Sequence, residues 1–168
     1  MVRKKINSKY FVGIDPDVKK SGLAFYNNGN LVELKNLDLM EFYYLCENIA
    51  EHGEYNNPTF IIEDGNLISG LYNRNKKGNA AVQHKISEYI GANKQRATDL
   101  IQIAESFGIK VIAKKPRKGN WSDKKEMFER VTGWKGRSNS ETRSAAFFAA
   151  SSIPGAGPVS AIVKVFRQ

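Results

Sequence analysis

Apolar and polar positions along the chain change period several times, and each change marks an element. "YFVGID" (Tyr10 to Asp15) is a short apolar run closed by an acid and a proline, the pattern of a buried strand. "GLAFYNNGNLVELKNL" follows as two strands around an Asn-Asn-Gly-Asn turn, a hairpin signal. Asp38 with Glu41 three residues later predicts a capping box. It opens a helix to about Ala50 that buries Leu39, Phe42, Tyr43, Cys46 and Ile49. "TFIIED" is a further β-rich run, ending in carboxylates. The polar, Gly- and Asn-rich stretch "GNLISGLYNRNKKGNAA" reads as a mobile loop. Helical periodicity then covers roughly Ala81 to Phe107, with Gly91 as a candidate interruption. "IKVIA" is a strand, Ser122 is placed to cap a helix through Thr132 that Gly133 ends, and the last helix spans about Glu141 to Ser151. The tail after it is ambiguous between a short strand and a packed extension. The order β-β-β-α-β-α-β-α, with room for one extra helix, predicts an α/β fold: a mixed sheet with helices on both faces.

Composition narrows the class. The 168 residues fit one domain, and a hydrophobic fraction of 41% supports a real core. A formal net charge of +9 favours a polyanionic partner, nucleic acid before an acidic membrane surface. Cys46 is the only cysteine, which excludes an intrachain disulfide and a Cys-rich zinc site. Its apolar neighbours predict a buried thiol. The opening "MVRKKINSKY" leads into no apolar stretch of the kind a secretory signal needs and so does not read as one. No run approaches the ~20 apolar residues of a membrane-spanning helix. The expected setting is soluble, reducing and intracellular, a cytoplasm or another DNA-containing compartment without membrane attachment.

Three acids then stand out. Asp15 ends the first strand, Glu63 ends the fourth, and Glu141 opens the last helix. Strand ends and helix starts are where α/β folds display functional side chains. Each acid alone has an ordinary structural explanation, since Glu141 also suits a helix dipole. Together, three hard oxygen donors on a basic chain suit Mg²⁺ or Mn²⁺. Asp17 reads as a turn residue, and Asp64 should point to the other side of its strand from Glu63. His52 and His84 lack a nucleophile partner and read as surface or capping residues.

Four segments carry a resemblance. "FVGIDPDVKKSGLAFY" resembles the opening motif of RuvC-type Holliday junction resolvases, and "FIIEDGN" resembles their second motif, an apolar strand delivering a glutamate. "WSDKKEMFERVTGW" is similar to the lysine-bearing helix before their last motif. "SETRSAAFFAA" is similar to that last motif, an acid or histidine, two residues, an aspartate, then a small apolar helix. The matches run in order from about residue 10 to 150. The resemblance implies a ribonuclease H-like, five-stranded mixed sheet forming a single nuclease domain over residues 1–168, with a basic arm at about 1–8. It implies metal ligands at Asp15, Glu63 and Glu141, a catalytic or DNA-contacting cation at Lys124, and two Mg²⁺ ions per site, with Mn²⁺ substituting. Ser144 falls where the family has its final aspartate. Either Glu141 carries that end of the site alone, or the chain is an attenuated or inactivated form. Asp17 stands in place of the family's glycine, and the family's aromatic wedge position holds Asn66, with Ile68, Leu71 and Tyr72 beyond it.

The implied activity is paired phosphodiester hydrolysis at a four-way DNA junction by a homodimer. A two-fold dimer matches the junction's near two-fold symmetry, and the long helical region is its candidate interface. Between Lys110 and Arg137, seven Lys and three Arg stand against three acids. Lys114, Lys115, Arg117, Lys118, Lys124, Lys135 and Arg137 are therefore candidate phosphate contacts, with Arg74, Lys76 and Lys77 as a second patch. Trp121 and Trp134 could stack on bases, but packing is the commoner role. Two other classes stay open. One is a junction- or nucleic-acid-binding relative whose catalysis is weakened or lost through Ser144. The more distant one is an actin-like phosphotransferase, which also opens on a strand ending in Gly-x-Asp but needs more chain.

Overall fold

The computed structural model describes residues 9–68 and 79–153. The arm at 1–8, the patch of Arg74, Lys76 and Lys77, and the tail from 154 lie outside the described residues. Five strands form one sheet: β1 (Tyr10–Asp15), β2 (Ser21–Asn27), β3 (Asn30–Leu37), β4 (Thr59–Glu63) and β5 (Lys110–Lys114). Their spatial order is β3-β2-β1-β4-β5. The first three run as an antiparallel meander, while β1–β4 and β4–β5 are parallel. Parallel neighbours need crossover connections, and α1 (Leu39–His52) and α2 (Ala80–Ser106) supply them. Two further helices, α3 (Lys125–Thr132) and α4 (Ser140–Ala150), complete the chain order.

Continuous apolar runs in β1, β2 and β4 are explained by burial on both faces. On one face Val12, Ile14, Leu23, Phe25, Phe60 and Ile62 pack against α1 and α2. On the other, Phe11, Ala24, Tyr26 and Ile61 meet α4, Trp121 and Phe128. Each fully buried Phe, Leu or Ile contributes roughly 1.5–3 kcal/mol. Helix α4 lies unusually close to the sheet because β1 and β2 present glycines beneath it. A Cβ on Gly13 would run into the Ala145 carbonyl, and one on Gly22 into the Glu141 backbone. The buried Tyr26 hydroxyl donates to the Ala146 carbonyl at 3.0 Å, tying the same helix down.

Local signals mostly hold. The Asp38–Glu41 capping box opens α1, and the hairpin turn lies at Asn28 and Gly29. Four details differ. α2 runs unbroken through Gly91, where an added Cβ would meet nothing within 4 Å, so the glycine costs only propensity, about 1 kcal/mol. Tyr43 is exposed on the edge of α1, because the buried stripe is Phe42, Leu45, Cys46 and Ile49, one helical face. Ser122 caps nothing: α3 begins at Lys125 without a side-chain cap. The last helix starts one residue early, under a capping box formed by Asn139 and Thr142. Cys46 is buried, and burial pushes its thiol up to about 12.

Candidate active site

Parallel register places the first two acids side by side. Ile14 pairs with Ile62, so Asp15 and Glu63 are the next residues of β1 and β4 at the same sheet edge. By strand alternation both share the side of Gly13 and Ile61, the face under α4. Glu141 and Ser144 lie three apart on α4 and share one helix face. All four border a cavity of about 260 Å³, joined there by Asp17, Asn93 and Asn120.

Electrostatics mark this cavity. Burial, then repulsion from Glu63, pushes Asp15 up to about 8. Glu141 and Asp17 add to the push, while a hydrogen bond from the Ser144 hydroxyl works against it. Burial alone raises Glu63 to about 7. Ser144 is 1% exposed, and its oxygen accepts from Asn120 Nδ2 at 3.4 Å. A relay Asn120–Ser144–Asp15 therefore occupies the position where a further acid would add charge. Opposed carboxylates held near neutrality are what a divalent cation relieves, and the donors are hard oxygens. The residues fit Mg²⁺ or Mn²⁺ in that sense. Among the described residues, no three Asp, Glu, His or Cys side chains are drawn into a ready-made cage. The acids ring the cavity instead of closing on its centre.

The rim is built by bonds distant in sequence. Arg143 on α4 donates to the Ser122 carbonyl through Nη2 at 2.6 Å and Nε at 3.1 Å, and to Ser138 Oγ at 3.1 Å. Asn120 Oδ1 takes the Ser122 N–H at 3.1 Å. These bonds are why Ser122 lines the cavity and caps no helix. Across it, Tyr89 of α2 donates to Asp17 Oδ2 at 3.0 Å, while Asp17 Oδ1 takes the Lys19 N–H, as a turn residue does. Arg96 holds the same turn through the Val18 carbonyl at 2.9 Å. Asp64 turns away and accepts from Asn66.

Lys124 is exposed at the start of α3 and borders neither this cavity nor the smaller one beside it. Lys114 pairs in register with Glu63, next to the site. Lys115, Arg117, Lys118, Lys135 and Arg137 are all exposed on the following segments. Trp121 is fully buried against Phe128 and Phe147, a packing residue. His52 and His84 are exposed surface residues. Sequence reasoning missed Tyr89, Asn93, Lys94, Asn120 and Arg143. Arg143 sits inside the last motif but with no role there, and the others lie outside the motifs; only the approach of α2, α4 and the loop before α3 to the cavity selects them.

No protein-family model matches the sequence, and no curated protein matches it. Solved structures do. Thermus thermophilus RuvC in complex with a Holliday junction substrate aligns at a TM-score of 0.54 and 12% identity, over 95% of this chain and 97% of that one. A second Thermus thermophilus RuvC structure aligns at 0.51 and 13%, over 94% and 96%. The mixed five-stranded sheet, with helices on both faces, is thus the ribonuclease H-like fold of RuvC.

Proposed function

We propose that the chain is a metal-dependent, structure-selective endodeoxyribonuclease that resolves four-way DNA junctions. The observation that carries this reading is the convergence of Asp15, Glu63 and Glu141, from three elements, on one cavity of a RuvC-like fold. Two divalent ions bound there would supply an activated water and neutralise charge at phosphorus and on the leaving oxygen. Asp15, from the central strand, would hold the ions together with Glu63 and Glu141. The Ser144 hydroxyl fixes the orientation of the Asp15 carboxylate, and Asn120 in turn holds Ser144. Lys114, Lys115, Arg117, Lys118, Lys124, Lys135 and Arg137 grip the phosphate backbone, so affinity falls steeply with salt. Arg74, Lys76 and Lys77 extend that grip.

A two-fold dimer supplies the paired cuts. Val82, Ile86 and Tyr89 form an exposed stripe at helical spacing on α2, which supports this helix as the interface. Among the described residues, no helix is long and apolar enough to cross a membrane.

Ser144 favours one second reading, a junction-binding relative with weakened or lost catalysis, because its hydroxyl brings no charge to a metal. A labelled four-way junction in Mg²⁺ or Mn²⁺ separates the two. Cleavage by the parent that drops at least ~10²-fold in Asp15→Asn supports the nuclease. Cleavage only after Ser144→Asp supports the binding relative. Cleavage untouched by Asp15→Asn removes the carboxylate site altogether.

A further inference from the structure

The proposed chemistry places a phosphodiester against three carboxylates, and Lys124 stands away from that cavity. A second cavity of about 180 Å³ adjoins the first and shares Asp15, Glu63, Tyr89 and Asn93 with it. Lys94 of α2 forms part of its wall. Its position is set by the segment that follows Glu63. Asp64, 8% exposed, accepts from the Asn66 N–H at 2.9 Å and from Asn66 Nδ2 at 2.8 Å. Asn66 Nδ2 also donates to the Lys94 carbonyl at 3.1 Å and to Thr98 Oγ1 at 3.3 Å. The turn of α2 that bears Lys94 is thereby clamped to the end of β4. The lysine stem lies along Gly65: a Cβ there would stand 3.3 Å from its Cγ and 3.8 Å from its Cε. Gly65 thus leaves the stem a path beside the strand end that delivers Glu63.

We propose that Lys94 is a catalytic cation of this site, its ammonium contacting a non-bridging oxygen of the phosphate brought to Asp15 and Glu63. An ammonium is a compact point charge with three donors, suited to a phosphate oxygen whose orientation shifts during displacement. A half-buried stem lying along Gly65 loses less freedom on binding than an exposed lysine does. The assignment rests on the nuclease reading for the word catalytic, but the contact itself can be measured without cleavage.

The test is a double-substitution cycle on junction binding, with Ca²⁺ replacing Mg²⁺. Neutral methylphosphonates are scanned through the junction arms, and affinity is measured for the parent, Lys94→Gln, Lys94→Arg and Lys124→Gln. One phosphate should couple to Lys94 by about tenfold or more, as close charge pairs do. Neutralising that phosphate should then cost Lys94→Gln nothing further, while Lys94→Arg should keep the parent's sensitivity. In Mg²⁺, Lys94→Gln should lower kcat by about 10²-fold at that phosphate. Absence of coupling at every phosphate overturns the assignment, as does equal coupling of Lys124 to the same phosphate. A parent that couples but cuts nowhere overturns the nuclease reading and keeps Lys94 as a phosphate contact.

Discussion

Helices α4 and α2 both reach the cavity, and they are held in opposite ways. α4 buries eight of its eleven residues and rests on two glycines, so Glu141 and Ser144 are placed by rigid packing. α2 buries only Ala97, Leu100 and Ala104 of its 27 residues, all in its second half. Its first half carries Val82, Ile86 and Tyr89 exposed and meets the site through side-chain hydrogen bonds. The carboxylates at the cavity come from the sheet edge and from this packed helix. The α2 side chains at the cavity come from a helix held by far fewer buried residues. Ser144 lies on the packed side, 1% exposed, where its hydroxyl stands beside Asp15 and accepts from Asn120.

That contrast can be broken from either side. Gly13→Ala should do the most damage, because the new methyl meets the backbone of α4, which cannot move without shifting Glu141. Denaturant unfolding should show a loss of ~1–3 kcal/mol or more, and a near-neutral result would mean that α4 is not rigidly seated. Arg143→Met should come next, since it strips the carbonyls of Trp121 and Ser122 of a charged donor. A loss of about 1.5–3 kcal/mol is expected, with amide exchange rising first in residues 120–122. Ser87→Gln, exposed on the first half of α2 away from the stripe of Val82, Ile86 and Tyr89, should change stability by less than about 0.5 kcal/mol. A large loss there would show that the exposed half of α2 is packed after all.

Much of this was legible in the chain, where the cause is local. The Asp38–Glu41 box, the Asn28-Gly29 turn and the left-handed Gly133 cap depend on neighbours within a few residues. The strands declared themselves because both faces of β1, β2 and β4 are buried. Asp15, Glu63 and Glu141 were picked out as strand-end and helix-start acids. Their convergence is tertiary: it depends on β1–β4 register and on Gly22 admitting α4. Ser122 caps no helix because Arg143 and Asn120 claim its backbone from 21 and two residues away, which no local pattern shows. Lys124 stands in a motif, whereas the place of Lys94 depends on Asn66 clamping α2 to the end of β4. Tyr43 failed by one position on the helix wheel, an error that periodicity alone does not correct.

The central claim is that burial, with repulsion added at Asp15, makes Asp15 and Glu63 a pair whose charge a divalent cation would relieve, and thermal unfolding of the metal-free chain tests it. Both native carboxyls sit above their ordinary range, so the folded state holds more protons than the unfolded one between about pH 4 and 8. Their contribution to stability therefore falls as pH rises through that window and is flat above it. Asp15→Asn should unfold at a higher temperature than the parent at pH 8, with the gap closing toward pH 4. Mn²⁺ at pH 8 should then raise the parent's midpoint and leave Asp15→Asn nearly unchanged. A gap that does not vary with pH, or an equal Mn²⁺ gain in both proteins, would contradict the account.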